Sequence, residues 1–380
     1  MDQLVGTKVA ATPAANDMAP KTADDVIARI EARAVILPLR YPLKTANGVI
    51  GASPLVLVDL VTAKGVRGRA YIFTFMPQAL EATKLLVDQL GALVAQAPVS
   101  PLEIDRRLSH ALRLLGRTGI AAMAAAGIDM AAWDAFCVAH EAPLAVMLGG
   151  SIRPLPAYDS QGMDGLALGG ERADEARRKG FRALKTKLGY ATLQEDVDIL
   201  RALRRAGGDE MDIMVDYNQK LSVPEADRRL AILADEGPYW IEEPTLQEDY
   251  AGHARIRASS RVPIQMGENW FGCHEMSKAL AAGATDLVMP DVMKIGGVSG
   301  WLRAAAAAEQ YGAPMSSHLF PEVSAHLLCV TPTAHWLEYM DLAGPVLAGP
   351  PVIRDGQAIA CSEPGTGLRW DEDAIARYSA

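Results

Sequence analysis

One pattern occurs eight times in the second half of this 380-residue chain. A short apolar run ends in a polar residue, and a helical pattern follows. The runs span 155–160, 183–187, 213–218, 239–243, 263–268, 286–291, 314–318 and 335–338. Their polar tips are Ser160, Lys187, Asp216, Glu242, Glu268, Asp291, His318 and Glu338, spaced by 27, 29, 26, 26, 23, 27 and 20 residues. A strand of about five residues, a helix of about twelve and two short loops need roughly this length. Parallel βα units at a steady period predict a closed α/β barrel of the TIM type. An open doubly wound sheet would carry a Gly-rich fingerprint after its first strand, and none is present. Gly296-Gly297-Val298-Ser299-Gly300 lacks that spacing and reads as a barrel loop. One helix shows its ends: Thr192 and Glu195 form a capping box, and Gly207-Gly208 closes the segment.

The first half has a different texture. Residues 30–75 read as β, with runs 55–61 and 69–73 flanking a turn at Lys64-Gly65. Residues 78–141 read as helices. Leu86, Leu90 and Leu93 fall on one face, Pro98 and Pro101 interrupt, and an Ala-rich helix covers 119–140. Strands followed by helices indicate an α+β domain, which ends near Gly149-Gly150.

Charge narrows the partners. There are 37 basic and 46 acidic residues, a net charge of −9, which disfavours nucleic acid and anionic membrane. No uninterrupted apolar stretch reaches about 18 residues, so no membrane span is expected. The N-terminal residues lack the apolar block of a signal peptide. Cys137, Cys273, Cys329 and Cys361 form no C-x-x-C pair and read as reduced thiols of a cytoplasmic protein.

Catalytic groups of such barrels come from the carboxyl ends of several strands and meet at one face. Asp216, Glu242 and Glu268 end three successive strands. Converging carboxylates repel one another, so they need raised pKa values, lysine or arginine partners, or a cation. Oxygen donors without Cys or His suit Mg²⁺, or Mn²⁺ in its place, rather than Zn²⁺. Lys185 and Lys187 share one face of their strand. A second ammonium and a cation nearby favour a neutral lysine, which can act as a base; alone, K-x-K also fits a solvated edge. Asp291 and His318 end the next two strands, where an Asp can orient the imidazole and raise its basicity; a lone core histidine is the plainer alternative. His274, His326 and His335 make no zinc spacing. Glu338, beside an anionic substrate, would act as a neutral acid if its pKa is raised, or form a plain salt bridge. A lysine on an early strand and a histidine on a late one would flank a substrate held at the cation. Two such bases suit removal and return of one proton, and the newly protonated base offsets the charge left behind.

The segments Lys185-Thr-Lys187, Met214-Val-Asp-Tyr-Asn218, Trp240-Ile-Glu-Glu-Pro244, Gln265-Met-Gly-Glu-Asn269, Met289-Pro-Asp-Val-Met-Lys294, Ser316-Ser-His-Leu319 and Trp336-Leu-Glu338 resemble the enolase superfamily, and most closely its mandelate racemase subgroup. The resemblance runs from about Arg33 to near the C-terminus. It implies a modified (β/α)7β barrel over 151–345, an α+β capping domain over 26–150, and a segment over 346–380 that returns to the cap; residues 1–25, rich in Ala, Thr and Pro, read as a flexible arm. It implies Mg²⁺ on Asp216, Glu242 and Glu268. Lys187 would be the base for the (S)-enantiomer, and His318, paired with Asp291, the base for the (R)-enantiomer. Lys185 and Glu338 would hold the substrate carboxylate, and Ser160 and Asn218 would supply further polar contacts. A cap loop near residues 41–53 would close over the substrate, and the assembly would be a homo-oligomer, commonly an octamer. Asn47 stands where the family has an aliphatic residue, and Phe75 where a tyrosine is expected; both bear on the substrate side chain. The expected activity is racemisation of a small 2-hydroxy carboxylate such as mandelate. Acid-sugar dehydration and carboxylate binding without turnover are the alternatives.

Overall fold

The computed structural model describes residues 25–349 and 352–380. Of the arm expected over 1–25, only Asp25 falls within them.

Strands β1 (Ile27–Thr45), β2 (Gly48–Thr62) and β3 (Arg67–Phe73) form an antiparallel meander. The two-residue turn Ala46-Asn47 joins β1 to β2, with Thr45 opposite Gly48. The outer ends of these two strands project as a ribbon: residues 48–52 are exposed or half-buried, whereas residues 53–62 are buried. Three helices pack on the sheet: α1 (Leu80–Val94), α2 (Pro101–Ala111) and α3 (Gly119–Ala139). The buried face of α1 is Leu80, Thr83, Val87, Leu90, Gly91 and Val94; of the expected leucines, Leu90 is buried, Leu86 half-buried and Leu93 exposed. Both sets have helical spacing. The packed set includes Gly91, where a Cβ would lie 3.0 Å from Ile30 Cβ, so the small residue selects the face that approaches β1.

Helix α3 is long and apolar enough to cross a membrane, but it is a core helix. It is apolar all round because both sides are covered. One side meets the sheet so closely that a Cβ on Gly68 would lie 2.0 Å from Ala131 O. The other side faces the barrel, where Asp129 accepts from Ser299 N (3.0 Å) and Trp133 Nε1 donates to Ser299 Oγ (2.9 Å).

The barrel strands are β4 (Leu155–Ser160), β5 (Ala183–Lys187), β6 (Asp212–Asp216), β7 (Ile241–Glu242), β8 (Ile264–Met266), β9 (Leu287–Val288) and β10 (Leu337–Tyr339). Neighbours from β4 to β9 pair in parallel, and β10 pairs in parallel with β4. Between β9 and β10 the run 314–318 makes single parallel bridges, Met315 to Val288 and to Ala334 and His318 to Asp291, rather than a ladder. The eight expected positions are thus all filled, and the ring is closed.

Below the tips, Tyr158, Met214 and Trp240 belong to one buried cluster, with Tyr239 and Trp336 packed against it. Tyr158 and Trp240 are fully buried with ring centroids 5.5 Å apart, and Tyr239 lies 5.4 Å from Trp240. After the barrel, β11 (Ile353–Arg354) and β12 (Gln357–Ala358) form a hairpin, with β12 antiparallel to β4. The chain then crosses to the cap. Trp370 Nε1 donates to Asp59 Oδ1 at 2.9 Å, Arg33 pairs with Glu372 at 2.5 Å, and Ser379 bridges Val35.

Candidate active site

The tips converge because a period of two keeps one set of side chains directed into the barrel. Asp216, Glu242 and Glu268 each bring one carboxylate oxygen within 4.8 Å of the others. All three are buried. Three hard oxygen donors in this space fit a small divalent cation such as Mg²⁺. Burial and the neighbouring acids push Glu242 up to about 8, against the pull of Lys185. Burial also opposes the charge on Glu268, but His318 and the lysines outweigh it and bring this group down to about 2.

The lysines take up two of the three carboxylates. Lys185 Nζ lies 2.8 Å from both Glu242 Oε1 and Glu338 Oε1, and Lys187 Nζ lies 2.5 Å from Asp216 Oδ2. Ion pairing, open as an alternative in the sequence, is therefore built into the cluster. Burial disfavours both ammonium groups, yet the carboxylates win: Glu242 and Glu338 hold Lys185 well above the usual lysine range, and Asp216 raises Lys187. With protein groups alone the neutral lysine anticipated from sequence is not favoured, because each ammonium has more opposite than like charge around it.

His318 Nδ1 lies 2.7 Å from Asp291 Oδ2, so the expected pair forms. Its Nε2 faces Glu268 Oε2 at 3.2 Å and Glu338 Oε2 at 3.8 Å. Burial lowers the imidazole's pKa, but these carboxylates reverse that and raise it.

Glu338 takes the salt-bridge alternative that the sequence left open. It accepts from Ser160 Oγ (2.7 Å), Lys185 Nζ (2.8 Å) and the Leu319 N–H (3.0 Å). Burial works against its charge, but Lys185, His318 and these donors bring it down to about 2. These surroundings favour its charged form. Ser160 lines the cavity but spends its hydroxyl proton on Glu338. Asn218 serves Asp216: its backbone N–H reaches Oδ1 at 2.7 Å and Nδ2 reaches Oδ2 at 2.9 Å. Its φ of +43° turns it back onto the strand tip.

A cavity of about 280 Å³ opens over these groups. The cap supplies Leu43, Asn47, Ile50, Phe73 and Phe75; the barrel supplies Lys187, Glu268 and His318 among others. The ribbon sits down on the barrel. Lys44 O accepts from Met163 N at 2.8 Å, and Asn47 Nδ2 donates to Asn218 O at 2.5 Å. Tyr41 lies between Arg40 and Arg172, whose guanidinium carbons are 5.1 and 4.7 Å from its ring centre.

Sequence reasoning did not single out Glu243, Asn269 and Lys294. Asn269 Nδ2 donates to Glu243 Oε2 (2.8 Å) and Glu268 Oε1 (3.3 Å), and Lys294 Nζ donates to Asn269 Oδ1 (2.8 Å). Lys294 also lies 4.4 Å from the centre of the Phe75 ring. The available signal was adjacency: each directly follows a strand tip or lies in the turn after it.

Together, fold and site define a capped barrel enzyme with three converging carboxylates that fit a divalent cation. Residues 27–149 match the family model "Mandelate racemase / muconate lactonizing enzyme, N-terminal domain", and residues 170–374 match "Enolase C-terminal domain-like". A 3,6-anhydro-alpha-L-galactonate cycloisomerase of Streptomyces coelicolor is 32% identical over 350 residues, covering 90% of this chain and 97% of that protein. An L-talarate/galactarate dehydratase of Salmonella typhimurium is 29% identical, over 95% of this chain and 93% of that protein. The crystal structure of an enolase from Bradyrhizobium, complexed with magnesium and mandelic acid, superposes with a TM-score of 0.91 at 44% identity, over 94% of this chain and 99% of that one. The chain belongs to the enolase superfamily, in its mandelate racemase subgroup, and is a Mg²⁺-dependent enzyme of that superfamily.

Proposed function

We propose that this enzyme racemises a 2-hydroxy acid of the mandelate type by moving the α-proton between two bases. The observation that carries the reading is that Lys187 and His318 reach one cavity from different strands, on either side of the first and last strands of the ring. Lys187 takes the α-proton of the (S)-enantiomer and His318 that of the (R)-enantiomer; the opposite base returns it. Asp291 fixes His318 and offsets the positive charge it gains. Lys185 binds the substrate carboxylate, and Glu338, pinned by Ser160 and the Leu319 N–H, fixes the position of Lys185. Bound by Asp216, Glu242 and Glu268, Mg²⁺ supplies positive charge where the substrate carboxylate gains electron density. Leu43, Ile50, Phe73 and Phe75 give the substrate side chain an apolar wall and exclude water. The mandelic acid complex of the Bradyrhizobium protein supports this substrate class.

Incubation of each mandelate enantiomer with enzyme and Mg²⁺ in D₂O tests the proposal. Loss of optical rotation with deuterium at the α-carbon is expected. Unchanged rotation with no deuterium would refute it.

Acid-sugar dehydration is the second reading. The two curated relatives carry acid-sugar names, and Gln219, Asn269 and Lys294 give one wall of the cavity a polar character suited to hydroxyls. Keto-acid formation from galactarate or related acids, with mandelate inert, would favour it.

A further inference from the structure

Trp240 and Glu242 are two residues apart at β7, so both point into the barrel, the indole one layer beneath the carboxylate. Both are fully buried. Trp240 Nε1 donates to Glu242 Oε2 at 3.2 Å, while Lys185 Nζ holds Oε1 at 2.8 Å. An indole has one donor and no acceptor, so this bond uses all of its polar capacity. Tyr158 and Tyr239 pack edge-on against the ring at 5.5 and 5.4 Å and keep it from swinging away.

The other two carboxylates have comparable neutral neighbours: Asn218 on Asp216 and Asn269 on Glu268. A neutral N–H aims a carboxylate without cancelling the charge a cation needs, whereas an ammonium competes with the cation. We propose that Trp240 is a positioning residue for Mg²⁺: it holds Glu242 in its binding orientation before the ion arrives. This rests on reading the trio as the Mg²⁺ ligands. Groups behind metal ligands typically change metal affinity about 10–100-fold when removed.

The test is Trp240→Phe, which keeps an aromatic ring and removes the N–H. Mg²⁺ affinity is measured by calorimetry on the folded protein, without substrate. Trp301→Phe is the control, since it removes an equally buried indole bond, to Thr331 Oγ1 at 3.0 Å, outside the site. We expect Trp240→Phe to weaken Mg²⁺ binding about 10–100-fold and to regain kcat at saturating Mg²⁺, while Trp301→Phe binds Mg²⁺ normally. Should Trp240→Phe fail to fold, 3-benzothienylalanine at position 240 keeps the ring shape and replaces the N–H with sulfur. Affinity within about twofold of wild type in a folded variant, or equal weakening by Trp301→Phe, overturns the proposal. Wild-type protein that binds no Mg²⁺ would instead overturn the ligand assignment beneath it.

Discussion

Asp291 uses its two oxygens for two tasks: Oδ2 lies 2.7 Å from His318 Nδ1, and Oδ1 accepts the backbone N–H groups of Met293 and Lys294. The short helix after β9 thereby fixes the carboxylate that fixes the imidazole. Asp291→Asn keeps the shape but loses the charge that stabilises the imidazolium. Exchange of the (R)-α-proton in D₂O should fall about 10²-fold or more, with (S)-exchange through Lys187 far less affected. Equal loss for both enantiomers would show that Asp291 does not serve His318 alone.

Lys187→Ala should abolish racemisation and (S)-exchange, while (R)-exchange survives through His318. The variant also removes the ammonium 2.5 Å from Asp216 Oδ2. Mg²⁺ binding should therefore persist or tighten, which calorimetry measures. Racemisation at the wild-type rate would disprove the two-base assignment.

The contact between Asn47 Nδ2 and Asn218 O ties the ribbon tip to the loop behind Asp216. One hydrogen bond at a part-exposed site contributes about 1 kcal/mol. Asn47→Ala should raise KM for the substrate by roughly threefold to tenfold while the Mg²⁺ Kd stays unchanged. A KM equal to wild type would mean that the tip is held by its backbone contacts alone.

Chelation should abolish activity and lower Tm, because the trio is then compensated only by the nearby lysines and His318. Adding Mg²⁺ should restore both, with about 2.7 kcal/mol of stabilisation at a hundredfold excess over Kd. Scanning calorimetry across a Mg²⁺ series would check this, and a Tm insensitive to Mg²⁺ would contradict it.

His335, in the barrel floor 2.9 Å from Tyr239 Oη, is pushed down to about 4 by burial. Its folded pKa lies below the unfolded value. The stability it lends is therefore present above about pH 6.5 and lost as pH falls toward 4, by at most roughly 3 kcal/mol. His335→Gln lacks this titration. Its stability deficit at pH 8 should narrow between pH 6.5 and 4 in denaturant melts of the Mg²⁺-free protein. A deficit that stays constant with pH would rule out a neutral imidazole at this half-buried position.

Much of the barrel was legible because its strand tips carry polar and ionisable residues at a steady interval. The period located all eight positions, and the side-chain alternation of two placed Lys185 with Lys187. What stayed hidden lies where the chain leaves a strand. Asn218, Glu243 and Leu319 have φ of +43°, +35° and +51°, and such turns redirect side chains and N–H groups in ways a period does not encode. For Glu338 the sequence left two readings open for a different reason. Its charge depends on Ser160, Lys185 and Leu319, which come together only when β10 closes the ring against β4. On α1 the leucines read as one face, but the packed face is the one that carries Gly91, where the helix comes close to Ile30.

The floor of Tyr158, Trp240 and their neighbours has a consequence for traffic. A barrel stopped at the bottom has one doorway, and here the ribbon of β1 and β2 hangs across it. Under the proposed racemisation, each enantiomer would leave by the route its mirror image came in, past the ribbon residues Leu43, Asn47 and Ile50. Solvent viscosity should then slow the steady-state rate wherever passage along that route, rather than proton transfer, is limiting.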